Sequence, residues 1–518
     1  LWSSRPNGDA FELAAWRAYL RRVHGTAERL QERWNVSADA CPDFESAPLP
    51  EEGCFNDDPT YAQAVNGFPA FDYHLFTMQV MNGWIREMSD FIRQKGNTQL
   101  VTVGQDESLP GKKPHPLLFS CCTDYVCNHS WWLMDGIYQD GVFAKPAGQP
   151  ALIQETGIMY VANADGRARR SFHETRNILE RKYGLAFGAG CAGAVHWLWN
   201  TNCQMDNLNE AHIGALLADG SQKAEADVSY DYGRFMRACA PYMGDLRPER
   251  VAVVLPFSNL FSVRNCAEQI LVTVSRVLGY ELKAPFQAVS EYELSAGMDY
   301  DVVIVPSPRI LTDSCFAALS TLAEKGAAIV LTGAYCQDEY FTTKTERLGR
   351  LSSTAEILPA QREEKLELDG AVYFASYSGD SLAFVDKAAP DGGGNAVVRV
   401  PSGKGQWIWC SLPLELNGNH TLLRAFYSYA LGCAGYVSDI EPEAFEPGVL
   451  LRKLKFSATG ASLFVAVSEN GVDTDIGFTD RETGRAYRFA VEAGRAALFL
   501  CDAGGAVLHA YRDLNIES

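Results

Sequence analysis

No C-x-x-C pair occurs among the 14 cysteines, so neither a zinc ribbon nor a thioredoxin-type redox pair has support. The thiols are scattered, with Cys121 and Cys122 adjacent. Small buried thiols in a reducing compartment are the reading this favours, which points to a cytoplasmic protein with no metal and no cofactor. The alternative, Cys41, Cys54 and Cys127 gathered around a metal, is not asked for by their spacing. A long apolar run is also missing. The longest uncharged stretch, Gly184 to Trp199, is broken by four glycines and His196 and is short for a bilayer span, so no membrane partner is expected. No signal peptide is visible, but the chain begins Leu1-Trp2-Ser3-Ser4, which leaves room for a preceding segment and leaves secretion open. Basic residues are in the minority, 45 against 64 acidic, for a formal charge of -19. Such a surface repels phosphate backbones, so nucleic acid is not an expected partner.

Several catalytic motifs are missing too. His173-Glu174 is followed by Asn177 where H-E-x-x-H needs its second histidine. Pro256-Phe-Ser-Asn-Leu260 stands where a dinucleotide fingerprint would follow a first strand, and Val398 occupies the glycine position that Gly403-Lys404 would need to form a P-loop. Cys336 follows a strand without the G-x-C-x-G turn that exposes a nucleophile, which makes it a buried thiol.

What is present is a globular composition, 47% hydrophobic and 21% charged, over 518 residues. At about 150 residues per domain this predicts three or four domains. Ten Trp and 22 Tyr need a core, or a site that stacks on something flat. Residues 1–205 alternate helix and strand. Phe11 to Trp34 reads as one or two helices interrupted at Gly25-Thr26, Ala40 to Gly67 as a long loop, and Phe71 to Lys95 as an amphipathic helix closed by Gly96. Strands are predicted at Gln99–Val103, Asp124–Cys127, Ala151–Ile153 and Gly193–Leu198, with the clearest intervening helix at Glu174 to Phe187. This alternation implies a parallel sheet with crossover helices. A whole (β/α)8 barrel takes about 250 residues, so roughly 200 residues with four strands read as the C-terminal half of one, with the first half expected upstream of Leu1.

Residues 206–246 read as a helical connector. Residues 247–440 read as a doubly wound unit, with strands at Val251–Leu255, Tyr300–Val305 and Ala327–Thr332 and helices at Cys266–Leu278 and Asp313–Lys325. It becomes strand-rich after Leu351 and closes with the helix Thr421–Leu431. Residues 441–518 read as a small β-sandwich. The fold class is thus multidomain α/β: half a TIM barrel, a flavodoxin- or amidotransferase-like domain, then a β-sandwich.

Chemistry concentrates at the carboxyl ends of the first four strands, where barrels build their sites. Glu155 follows an apolar strand and precedes Thr156-Gly157, so rigid backbone would hold its carboxylate at the barrel mouth. Cleavage of a glycosidic bond needs two carboxylates, one to attack or stabilise the anomeric carbon and one to move a proton. The plain reading of Glu155 is a cap or a surface ion pair. Asp106 and Glu107 could bind sugar hydroxyls, or Glu107 could be an acid in its own right, against a solvated loop pair before Pro110. Asn128 and His129 could touch a substrate or orient Glu155, against a satisfied structural histidine. Trp131, Trp132, Trp197 and Trp199 could offer flat faces to a sugar ring, with core packing the default for the first two. Strand alternation predicts that Trp197 and Trp199 share one face.

The stretch Phe11 to Trp34, with its internal Gly25-Thr26, resembles the helix after the fourth barrel strand in glycoside hydrolase family 42 β-galactosidases. Asp299-Tyr-Asp-Val-Val-Ile-Val-Pro-Ser-Pro-Arg-Ile-Leu-Thr-Asp313 and Glu324 to Gly333 are similar to that family's middle domain, amidotransferase-like but without its catalytic cysteine. The resemblance implies that Glu155 is the nucleophile on the seventh strand and that the acid/base glutamate lies on the fourth, upstream of Leu1. It implies that the strand carrying Asp106-Glu107 is the fifth, the one before His129 the sixth and the one carrying Trp197 the eighth, and that a homotrimer forms through the middle domain. The family's cysteine zinc cluster is not matched. The expected function is therefore a retaining glycoside hydrolase acting on terminal sugars of oligo- or polysaccharides, with Asn128, His129, Trp197, Trp199 and Glu107 binding the carbohydrate. The rivals are a non-catalytic carbohydrate-binding or assembly protein, and an amidotransferase-type enzyme in the middle unit.

Overall fold

The computed structural model describes residues 5–51, 55, 68–105, 115–131, 134–158, 163–262, 266–352, 356–379, 385–390 and 393–518. Three helices open the chain. Helix α1 (Ala10–His24) ends where Gly25 takes φ 76°, and α2 (Ala27–Trp34) restarts because the Thr26 side chain accepts from Arg29 N. Helix α3 (Phe68–Gln94) starts three residues before its predicted position. All three are joined by one buried acid. Asp72 accepts from Trp34 Nε1 at 2.7 Å and from Tyr340 Oη at 2.7 Å, and lies 2.9 Å from His24 Nε2. Tyr340 belongs to the middle unit, so this carboxylate also ties the two regions together.

A four-stranded, all-parallel sheet follows in chain order: β1 (Gly104–Gln105), β2 (Val126–His129), β3 (Ala151–Thr156) and β4 (Ala194–His196). Helices Met134–Ala144 and Phe172–Gly188 make the crossovers. The second is fixed by a capping box: Ser171 accepts from Glu174 N, and the Glu174 carboxylate accepts from Ser171 N at 2.7 Å. The first strand pairs at Gly104–Gln105, beyond the apolar Gln99–Val103 run that hydropathy selects. The expected continuous connector helix is interrupted. A stretch bridged at Asn200–Leu216 and Leu216–Gln222 separates Leu208–Ala211 from Ala224–Cys239, with Gly214 at φ 140°.

The next sheet has six strands in the order β13-β14-β8-β7-β5-β6: β5 (Val251–Leu255), β6 (Gln287–Ser290), β7 (Val302–Val305), β8 (Ala328–Thr332), β13 (Val397–Ser402) and β14 (Gly405–Cys410). All but β13 run parallel. Strands β5 to β8 are buried throughout, as a sheet covered on both faces requires. Two small antiparallel pairs attach to it, β9 (Glu356–Pro359) with β12 (Asp386–Ala389), and the hairpin of β10 (Glu363–Leu368) and β11 (Ala371–Ser376). The hairpin turns through Asp369-Gly370, both at positive φ, the two-residue turn that matches strand twist.

The C-terminal region holds two antiparallel sheets. One is β15 (Ile440–Pro442), β18 (Thr474–Asp480) and β19 (Ala486–Val491). The other is β16 (Val449–Lys455), β17 (Ser462–Ser468), β20 (Ala496–Cys501) and β21 (Val507–Ala510). Their shared core is aromatic, with Phe464 5.1 Å from Phe499 and 5.2 Å from Tyr487 between ring centroids. Helix Phe172–Gly188 docks onto this region through Glu180, which is 1% exposed. Its carboxylate accepts from Arg495 at 2.6 Å, Arg512 at 3.0 Å and Ala496 N at 3.2 Å. Such pairing is what allows a charge to sit away from water.

Candidate active site

Strand β3 carries an irregularity that aims its last residues. Asn128 pairs with Ile153, but the next pair is His129 with Glu155, so one extra residue, Gln154, is accommodated in β3. A second register shift lies between Ile153 and Thr156 on the β4 side. Bulges re-aim side chains, and here the result puts Glu155 level with His129 on the neighbouring strand. His129 Nδ1 lies 3.5 Å from Glu155 Oε2, and the two side chains are 24% and 21% exposed. The other carboxylate oxygen accepts from Trp131 Nε1 at 2.8 Å. The acid is thus oriented from two sides and still reaches solvent.

The backbone around it is pinned. Ser130 N donates to Glu155 O at 3.0 Å, Thr156 Oγ1 to Ser130 O at 2.7 Å, and Trp197 N to Thr156 O at 2.8 Å. Lys182, buried on helix Phe172–Gly188, reaches up from beneath and donates to Trp131 O at 2.7 Å and Gly157 O at 2.6 Å. Position 157 has to be glycine. A Cβ there would stand 2.9 Å from Trp131 Cη2 and closer still to the Trp197 carbonyl. Gly104 is similarly crowded, with Gln154 Oε1 2.7 Å and His129 Nε2 3.4 Å from where its Cβ would be.

The predicted residues therefore fall into groups. Glu155 and His129 meet. Trp131 is buried as its core reading expected, yet it also donates to the candidate carboxylate, a role that no local pattern announced. Asn128 is fully buried beneath the strand end, with Nδ2 3.5 Å from the His129 carbonyl and no partner for Oδ1 among the described residues. The Trp197 backbone packs against Gly157, and the Trp197 and Trp199 side chains are 41% and 65% exposed. Strand alternation does not extend to these two residues, because β4 ends at His196. Asp106, Glu107 and Trp132 lie outside the described residues.

Behind β4, His196 Nδ1 lies 3.3 Å from Ser229 Oγ, and burial, with Lys223 and Lys182 nearby, lowers its pKa to about 4. This histidine is neutral and structural. Of the three cysteines weighed as metal ligands, Cys41 bonds to Asp43 O and Cys127 to Val103 O and Gln154 Oε1, and Cys54 lies outside the described residues. Among the described residues no three His, Cys, Asp or Glu side chains are grouped to hold an ion. Cys336 is 2% exposed and burial pushes its thiol up to about 11, the opposite of an activated nucleophile. No described helix is long and apolar enough to cross a membrane.

No protein-family model matches the chain, and no curated protein matches it by sequence. Solved structures do match, and they define a class of fold, that of glycoside hydrolase family 42 β-galactosidases. The β-galactosidase from Bacillus circulans sp. alkalophilus superposes with TM-score 0.72 and 14% identity, over 94% of this chain and 76% of that one. The β-galactosidase from Rahnella sp. R3 gives TM-score 0.72 and 14% identity over 96% and 77%. A catalytic mutant of Gan42B, a family 42 β-galactosidase from G. stearothermophilus, gives 0.71 and 13% over 95% and 76%.

Proposed function

We propose that the protein is a retaining glycoside hydrolase acting on terminal sugars of oligo- or polysaccharides, β-galactosidase-like in kind, with residues 1–205 contributing the second half of a (β/α)8 barrel. The observation that carries this reading is the solvent-reaching carboxylate of Glu155 at the carboxyl end of a parallel strand, held by Trp131 and level with His129. In the reaction, one Glu155 oxygen attacks the anomeric carbon as the glycosidic C–O bond breaks, giving a glycosyl ester. A second carboxylic acid protonates the leaving oxygen, then takes a proton from the water that hydrolyses the ester. In a barrel of this kind that second acid belongs to the fourth strand. The Trp131 N–H keeps one carboxylate oxygen fixed while the other is free to attack. His129, Trp197 and Trp199 line the sugar subsite, Asn128 supports it from below, and Glu107 contributes a hydroxyl contact. Fold likeness to β-galactosidases supports the class, and self-association through the middle unit as a homotrimer belongs to the same reading.

A fluorinated glycoside tests the nucleophile separately from the acid. Fluorine beside the anomeric carbon slows both steps, and a dinitrophenolate leaving group needs no proton, so the first step proceeds without the acid/base and the ester accumulates. The expected result is one glycosyl group on the peptide containing Glu155. No labelling with any sugar of a panel, or labelling elsewhere, would refute the assignment and favour the non-catalytic carbohydrate-binding alternative.

A further inference from the structure

The turn that feeds β2 contains a chemical feature unrelated to glycoside cleavage. Residues Ser120–Cys122 form one turn of 3-10 helix, and within it the Cys121 and Cys122 Sγ atoms lie 3.6 Å apart. The two thiols differ. Cys121 is exposed, and the Arg86 guanidinium on α3 lies 3.4 Å from its sulfur. Cys122 is buried and points its thiol at Asn82 O, also on α3, at 3.8 Å. Burial, then the bond to its neighbour, pushes the Cys122 thiol up to about 11, so it stays protonated at neutral pH. This gives one accessible sulfur beside a cation and a second, sheltered sulfur within contact of it, the arrangement of an attacking and a resolving thiol.

We infer that Cys121 and Cys122 form a reversible redox modification site, closing a disulfide between adjacent residues when the protein meets a hydroperoxide. The Cys121 thiolate attacks a peroxide oxygen, and the O–O bond breaks to give the sulfenic acid and water. The Cys122 sulfur then attacks the sulfenic sulfur, and the hydroxyl leaves as a second water. Overall two thiols and one hydrogen peroxide give one disulfide and two waters, with sulfur oxidised and peroxide oxygen reduced. Arg86 steadies negative charge on the attacking sulfur. Adjacent Cα atoms stand about 3.8 Å apart across a trans peptide, below the usual disulfide range of about 4.4 to 6.8 Å, so the product is strained and easily reduced. The site is therefore a labile one, unlike a structural bridge.

The test uses the reduced full chain treated with hydrogen peroxide, followed by mass analysis of the peptide spanning residues 121 and 122. The expected result is loss of two hydrogens from that peptide, reversed by reduced glutathione. Cys122→Ser should stop at a sulfenic acid on Cys121, which dimedone captures. Arg86→Met should slow oxidation roughly severalfold, because the guanidinium 3.4 Å from the attacking sulfur is lost. Cys122→Ser changes one atom of a buried side chain and Arg86 is exposed on α3, and unchanged circular dichroism confirms that each variant is folded. Over-oxidation of Cys121 to the sulfinic acid in the unaltered chain, a bridge from Cys121 to Cys203 or to a second molecule, or an unreactive pair would each overturn the inference.

Discussion

Glu155 and Glu291 hold the same topological position in two different parallel sheets, one near the end of β3 and the other directly after β6, yet their carboxylates are occupied differently. Glu291 is 1% exposed and closed in by donors: Ser258 N at 2.9 Å and Ser258 Oγ at 2.8 Å on one oxygen, Thr312 N at 2.7 Å and Ser258 Oγ at 2.9 Å on the other. It joins the end of β6 to the helix Phe257–Ser262 and to the N-cap of the helix Asp313–Lys325. Glu155 has the Trp131 indole on one oxygen and His129 at 3.5 Å from the other, and water can reach it. A strand-end acid is therefore not a site by position alone. What separates the two is acceptor capacity left unfilled beside an opening to solvent.

The sharpest way to break this comparison is to remove the charge, and little else, from each acid. Glu155→Gln should lower turnover of an aryl glycoside by about 10⁴-fold or more, with the melting temperature unchanged, since a nucleophile is lost and no packing is. An active Glu155→Gln protein would make the two acids alike. Glu291→Gln should do the reverse. Each of its oxygens already accepts from a backbone N–H, so whichever way the amide turns, its NH2 must face a donor. The expected cost is about 2 kcal/mol in denaturant unfolding, with kcat/KM preserved. Burial raises the Glu291 pKa, while the bonds from Ser258 and Thr312 draw it back only in part. A folded pKa above the unfolded one gives stability that is full below about pH 4.5 and is lost as pH rises through the folded value. Unfolding measured across that range should therefore slope downward in the parent through this group, and Glu291→Gln should remove its share of the slope.

Trp131→Phe probes a smaller effect on the Glu155 side. It removes the N–H donor and leaves a smaller aromatic ring, and a hydrogen bond to a charged acceptor is worth about 1.5 to 3 kcal/mol. If the acid is the nucleophile, kcat/KM should fall by roughly ten- to a hundredfold, while stability moves by less than the Glu291 variant. A loss of stability without a kinetic effect would return Trp131 to the core role that its burial suggests.

How much of this was readable in advance depends on how local the determinant is. The helix Asp313–Lys325 has its predicted limits because Thr312 caps it and Gly326 ends it. Strand β6 escapes the hydropathy reading because Gln287-Ala-Val-Ser290 offers only two apolar residues, although it is buried on both faces even at the edge of its sheet. Strand β18 was missed because Gly477 and two aspartates dilute its alternation. At the site, Glu155 was legible from its place after an apolar strand. The bulge that sets it level with His129, the Trp131 bond and the Lys182 support were not, since each depends on which residues distant in sequence come to face one another.

The mildest of these tests asks whether the frame and the site can be uncoupled at all. Helix Phe172–Gly188 serves both halves of the molecule: Lys182 holds the loops flanking Glu155, and two residues earlier Glu180 holds the C-terminal sheets. Its N-terminus, by contrast, is exposed, and the Ser171 side chain there is spent on the capping bonds to Glu174. Ser171→Ala should cost about 1 kcal/mol, the usual value of a cap, because the first turn frays without dislodging the buried turns that carry Glu180 and Lys182. Activity should stay within twofold of the parent if rigidity at Glu155 comes from Lys182 and the pinned backbone. A kinetic loss larger than the stability loss would mean that fraying reaches Lys182, and that the poise of the candidate nucleophile depends on the whole helix and not on the few bonds around it.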